Sequence, residues 1–203
     1  MRLFYSPGTC SLAPHIVLRE IEQTFDLERV NFVTRRTDTG RDFNGINPKG
    51  YVPALQLDSG EILTETAAIL QYIADMSSSS MDLAPKAGTF ERARLQEHLS
   101  FVSTELHKAF DAPFTVGVSQ EARKLNSARV ASKFDYIESV MTDGRPYLLG
   151  DTFSVADAYL FVVSRWTKPA KIDLGRWSYV SAFVNRVDVR PSVIAAKIAE
   201  GLH

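Results

Sequence analysis

The sequence predicts an α/β unit followed by an all-helical unit. Three observations carry this. Residues 1 to 80 alternate short apolar, strand-like runs with amphipathic segments. The stretch "SSSSMDLAPKAG" then breaks the composition without any periodicity, as an interdomain linker does. Beyond it, apolar residues recur at helical spacing. At 203 residues the chain is long enough to give either unit a proper core.

The elements follow in order. "RLFY", residues 2 to 5, reads as a buried strand that ends in the turn signal "SPG". From Ser11, Leu12, His15, Ile16 and Arg19 recur at helical spacing, and the helix fades near "EQT". "FDLERVNF" alternates well enough for a second strand. Residues 34 to 50 are polar and rich in Gly, Asn and Thr, which marks a binding loop or a connection broken by a short helix. "VPALQLDSGEIL" reads as a hairpin around Asp-Ser-Gly. It runs into "TETAAILQYIADM", a helix with Thr64 as candidate cap and Ala68, Ile69, Tyr72 and Ile73 on one side.

In the second unit, Leu95, Leu99, Val102 and Leu106 form one apolar stripe, and Val130, Phe134, Ile137 and Met141 another. "VADAYLFVV", residues 155 to 163, is apolar nearly all round and belongs in the middle of a bundle. Ser154 and Asp157 have capping-box spacing at its start, with Phe153 where a hydrophobic staple begins. Asp157 is therefore read as structural. Two short helices, around "SYVSAFVNRV" and "SVIAAKIAE", complete the chain.

Composition excludes several functions. The net charge is −1 with basic residues scattered, so the electrostatic footprint of nucleic-acid or anionic-membrane binding is missing. No window approaches eighteen apolar residues and the start lacks a secretory signal, so a cytoplasmic protein is expected. The one cysteine, Cys10, cannot close an internal disulfide, and His15, His98, His107 and His203 have no zinc spacing. No metal is expected.

Cys10 sits between a Pro-Gly turn and a helix start. Unpaired N–H groups and the helix dipole there favour a thiolate, whereas free cysteine is also among the most buried and inert residue types. The local sequence leaves the two readings even. In "EHLSFVSTELHKAF", Glu97, Ser100, Thr104 and His107 step along the face opposite the apolar stripe, so one face packs and the other can line a cleft.

Strand, Pro-Gly turn, cysteine and helix, followed by Val52-Pro53 leading into a hairpin, resemble the thioredoxin-like arrangement, in which a cis-proline loop faces the cysteine. The second cysteine of a Cys-x-x-Cys pair is replaced by "SLA", so any disulfide chemistry takes its second sulfur from a small thiol. Taken together, "YSPGTCSLAPHIVLRE", "NPKGYVPALQLDSGEILTETAAILQYIAD", "STELHKAF", "FSVADAYLF" and the closing "EGL" resemble the bacterial beta class of glutathione S-transferases, in family order over nearly the whole chain.

The resemblance implies a thioredoxin-like glutathione-binding domain over residues 1–80, a linker at 81–86, and a helical-bundle domain over 87–203. It implies a cytoplasmic homodimer with glutathione as co-substrate, acting in detoxification by conjugating electrophiles of xenobiotic type. Cys10 would lie beside the glutathione sulfur, able to form a mixed disulfide. Val52 would pair its backbone with the peptide, as in strand addition, with Pro53 cis. Thr66 and helix N–H groups would take the γ-glutamyl carboxylate, and Glu65 the ammonium. Arg35, or Arg36 in its place, stands where the family has a lysine for the glycyl carboxylate.

Ser11 and Thr104 are also expected in the site, and His107 as a catalytic group beside Lys108. Ser100 replaces a family asparagine that reaches the partner subunit's glutathione. Phe110, Phe114 and Trp166 are candidates for an electrophile pocket expected between the domains, and each reads equally well as core. The rival readings are a monothiol glutathione-dependent reductase and a non-catalytic glutathione or ligand carrier.

Overall fold

The structure, a computed structural model, describes residues 1–76, 82–111, 117 and 119–202. Strand β1 (Arg2–Tyr5) lies at the centre of a five-stranded sheet of order β3-β2-β1-β4-β5, with β2 at Asp26–Asn31, β3 at Arg36–Thr37, β4 at Ala54–Gln56 and β5 at Ile62–Thr64. β1 runs parallel to β2, with Leu3 opposite Leu27, and antiparallel to β4, with Leu3 opposite Leu55. Leu3, Phe4 and Tyr5 are all buried because a central parallel strand is covered on both faces.

The crossover from β1 to β2 is helix α1 (Leu12–Glu20), followed later by α2 (Phe43–Ile46) and α3 (Thr66–Met76). α1 is buried almost all round, more than its amphipathic spacing suggests, because both α3 and the C-terminal helix α8 (Pro191–Glu200) pack against it. The chain thus divides into one compact unit made of Met1–Asp82 with the segment from Val189 onward, and another at Leu83–Asp188. The sequence reading joins the last helix to the helical domain. Its apolar residues Val193 and Ala196 are fully buried, and its contacts with α1 assign it to the α/β unit instead.

The polar stretch 34–50 contains β3 and the one-turn helix α2, capped by the Asp42 side chain, which accepts from the Asn44 N–H at 3.1 Å. Phe4, Val30, Phe43, Val52 and Ala54 form a small core beneath it. The hairpin β4–β5 turns at Gly60, whose φ of 94° requires glycine. Thr64 is not the helix cap expected from sequence. It ends β5, and Glu65, at φ 72°, turns the chain so that its own carbonyl accepts the first helical bonds, from the Ala68 and Ile69 N–H groups.

In the second unit, α4 (Phe90–Phe101) is capped by Thr89 and continues into a π-helical stretch, Val102–His107. Then come α5 (Gln120–Val140), capped by Ser119, α6 (Val155–Arg165) and α7 (Ser178–Asp188). Both predicted apolar stripes are buried, and α6 is buried at every position from Val155 to Ser164, as its all-round apolar character requires. Its start carries the expected reciprocal cap. The Asp157 carboxylate accepts from the Ser154 N–H at 2.9 Å, the Ser154 hydroxyl at 2.6 Å and the Leu148 N–H at 2.8 Å. The linker position Met81 lies outside the described residues.

Candidate active site

Cys10 stands where the β1 loop enters α1, and it is 9% exposed. Its thiol donates to the Val52 carbonyl at 3.5 Å, and the Thr66 hydroxyl lies within hydrogen-bonding reach of the sulfur. Burial pushes the thiol up to about 11, against smaller opposing effects from Thr66 and the backbone at the helix start. The helix-end argument for a thiolate therefore loses to desolvation in the unliganded protein. Cys10 is a neutral thiol at pH 7.

The loop around it is braced by Ser11. Its hydroxyl accepts from the Ser6 N–H at 3.2 Å and meets the Thr9 hydroxyl at 2.8 Å. Ser11 is fully buried, so its side chain serves the loop.

The Val52 side chain is anchored in the small core under α2, and its peptide bond to Pro53 is cis, as expected. Glu65 lies beside this edge. Its carboxylate receives hydrogen bonds from the Lys49 ammonium at 2.5 Å and the Tyr51 hydroxyl at 3.3 Å, and Lys49 also donates to the Thr64 hydroxyl at 3.0 Å. The carboxylate beside Lys49 raises that ammonium above its ordinary value.

Of the two candidate arginines, Arg35 donates to the Gly50 carbonyl and lies over the Phe32 ring at 5.9 Å. Arg36 belongs to β3 and donates to the Gly40 carbonyl at 2.7 Å. Arg35 alone is placed against the Gly50–Val52 edge. Its φ of 56° sends its side chain off the line of β3.

In the helical unit, the π-helical stretch carries His107. Its Nδ1 hydrogen-bonds the buried Tyr159 hydroxyl at 2.7 Å, and its ring meets Trp166 edge-on at 4.7 Å. Burial pushes the imidazole below its ordinary value, which keeps it neutral at pH 7. Trp166 in turn meets Phe110 at 5.8 Å. Among the described residues, no group of three or more His, Cys, Asp or Glu side chains can hold a metal ion, and no helix is long and apolar enough to cross a membrane.

Comparison with known proteins decides what this arrangement belongs to. Residues 8–76 match the N-terminal domain of glutathione S-transferases and residues 120–190 the C-terminal domain. The chain is 41% identical over 202 residues to glutathione S-transferase GstA of Escherichia coli O157:H7, covering all of both chains.

The chain belongs to the glutathione S-transferase family.

Solved structures narrow the resemblance. A bacterial beta-class glutathione S-transferase of Sphingomonas chungbukensis superposes with a TM-score of 0.95 at 48% identity, covering both chains completely. A sphingomonad glutathione S-transferase complexed with glutathione matches over the same full coverage, with a TM-score of 0.95 and 44% identity.

In this transferase the predicted residues sort into three groups. Cys10, Val52, Pro53, Glu65, Thr66 and Arg35 converge on one edge of the α/β unit, although they come from four separate stretches of sequence. Others are placed elsewhere. Phe110 is 1% exposed, so it is core and does not line a pocket. The Thr104 hydroxyl donates back to the Ser100 carbonyl at 2.9 Å, closing a bond within its own helix, and Ser100 itself is exposed. Lys108 pairs with Asp111 at 3.5 Å on the surface. Phe114 lies outside the described residues.

Three residues that touch these candidates carry no signal in the sequence. Lys49 and Tyr51 flank Gly50 in "NPKGY" and look like ordinary loop residues until the chain folds them onto Glu65. Tyr159 reads as one more apolar position of α6, and its hydroxyl shows its use only against His107.

Proposed function

We propose that this transferase binds glutathione along the Val52 edge and conjugates its thiol to electrophiles of xenobiotic type, with Cys10 beside the glutathione sulfur. The carrying observation is the convergence of the Cys10 thiol, the Val52 carbonyl and Thr66 at one point, with Glu65 and its Lys49 partner next to it. An extended peptide pairs with a backbone edge, and its charged ends need charged partners. Val52 supplies the edge. Thr66 and the start of α3 suit the γ-glutamyl carboxylate, Glu65 the ammonium in exchange for Lys49, and Arg35 the glycyl carboxylate.

Disulfide exchange with a glutathione adduct is open to Cys10 when it gives up its proton, because the thiolate is the attacking species. With oxidised glutathione, the Cys10 sulfur bonds one glutathione sulfur, the glutathione disulfide breaks, and the second glutathione leaves as thiol carrying the Cys10 proton. The reading includes a cytoplasmic homodimer, whose mass in solution light scattering measures directly.

Incubation with oxidised glutathione followed by intact-mass measurement tests the thiol role. One glutathione adduct per chain is expected, removed by reductant and missing in Cys10→Ala. Turnover with glutathione and a panel of aryl halides, epoxides and hydroperoxides tests the transferase role. Glutathione binding without turnover on any of them, and without exchange, would leave a carrier protein.

A further inference from the structure

The turn between α2 and β4 is folded by one buried side chain. Asn47 Oδ1 accepts from the Lys49 N–H at 3.1 Å, and its amide donates to the Tyr51 carbonyl at 2.7 Å. The Gly50 N–H donates to the Asn47 carbonyl at 2.9 Å, and Gly50 takes a φ of 73° at the bend.

This turn directs three neighbouring residues at two charged side chains. Lys49 and Tyr51 both donate to Oε1 of Glu65, while the Gly50 carbonyl between them accepts from Arg35. Glu65 and Arg35 are the groups that the glutathione reading pairs with the peptide's ammonium and its glycyl carboxylate. A lysine ammonium thus stands where the peptide's ammonium is expected, and a carbonyl oxygen where a carboxylate oxygen is expected. The strip Lys49–Tyr51 satisfies both partners from within the chain.

Two ammonium groups on one carboxylate repel each other, and the Tyr51 hydroxyl already takes a share of the same oxygen. The peptide's ammonium group therefore gains Glu65 only as Lys49 leaves it. Lys49 and Glu65 are both about half exposed, so water takes up the released lysine at little cost.

We propose that Lys49 is a placeholder for the peptide's ammonium group at Glu65 and a specificity-determining residue of the site. The proposal rests on the glutathione reading of Glu65. A ligand that carries an ammonium group has to displace Lys49, whereas one without it leaves the Lys49–Glu65 pair as it is. Lys49 thereby narrows the advantage that an ammonium group confers on a ligand.

Calorimetric titration with two ligands tests this. One is S-methylglutathione, whose methyl group keeps the Cys10 thiol out of the measurement. The other is the same peptide with glutaryl in place of γ-glutamyl, which lacks only the ammonium group. Lys49→Met should bind S-methylglutathione about two- to fivefold more tightly, the range open to an exposed ion pair, and the glutaryl peptide no more tightly. The sign is diagnostic, because simple loss of a positive charge weakens binding of both anionic ligands and a disturbed loop affects both alike. Lys49→Arg returns a cation to Glu65 and should bind as wild type does. In a Glu65→Gln background, Lys49→Met should bring no gain.

Unchanged or weaker binding of S-methylglutathione in Lys49→Met would overturn the proposal while leaving the glutathione reading in place. So would a gain shared by the glutaryl peptide, reproduced by Lys49→Arg, or persisting beside Glu65→Gln. Absence of S-methylglutathione binding in the wild type would overturn the glutathione reading and the proposal together.

Discussion

The Cys10 thiol and the Val52 carbonyl meet at 3.5 Å across 42 residues of sequence, and the meeting takes the sulfur out of water. That geometry sets the reactivity of the unliganded protein. With the thiol pushed up to about 11 from an ordinary 9.0, alkylation by iodoacetamide should keep rising through pH 10 with no plateau near neutrality. The linkage has a definite sign. The folded state holds this proton more tightly than the unfolded chain, so its contribution to stability is full below pH 9 and disappears as pH rises towards 11. Denaturant titrations at pH 8 and 10 should show that loss in wild type and not in Cys10→Ala.

His98 and His107 act at the other end of the pH scale. Burial holds both imidazoles below their ordinary value of 6.5, so the unfolded chain binds protons there before the folded one does. Stability from these groups is level above pH 6.5 and falls as pH drops below it. A Tm series from pH 7.5 to 5 should show the decline, and the His98→Gln/His107→Gln pair should flatten it. A decline of equal slope in the double variant would assign it to other groups.

Asp157 accepts three hydrogen bonds inside the helical unit. Replacing it with Ala removes the Asp157 half of the reciprocal cap of α6 and leaves two buried N–H groups without their acceptor. The expected cost is about 2–4 kcal/mol in urea unfolding. Asp157→Asn keeps one acceptor oxygen and should recover part of that loss.

Lys49 and Glu65 pair at the surface, both about half exposed, so the pair itself contributes less than about 1 kcal/mol to folding. Lys49→Ala should leave Tm within a few degrees of wild type. Glu65→Ala should weaken glutathione binding by about tenfold or more, because a charged partner of the peptide is lost. Calorimetric titration of both variants separates the two roles. Equal, small effects would remove Glu65 from the binding set.

Much of the fold was legible because it rests on local pattern. The stripes ending in Leu106 and Met141, the capping box at Ser154 and the all-apolar run 155–163 each specify a helix face or end without knowledge of its neighbours. Cys10, Val52 and Thr66, which the structure brings together, stood out as candidates through motifs. For Ser11, sequence shows a polar hydroxyl beside the cysteine but not the Ser6 and Thr9 groups that engage it. Phe110 stayed open between pocket and core because an aromatic in either has the same spacing, and its burial places it in the core.

The sequence by itself determined the two-part architecture, the single thiol and its entry into a helix, since composition and periodicity act over a few turns of chain. Tertiary structure alone decided the state of that thiol. Desolvation against Val52 outweighs the helix-end effect that the local sequence suggests, and only the folded chain sets how much water the sulfur loses. It also decided that the last helix closes over the first, where Glu200 accepts from the Gly8 N–H across 192 residues. Contacts of that separation leave no periodic trace in the chain, because each depends on the packing of every element between.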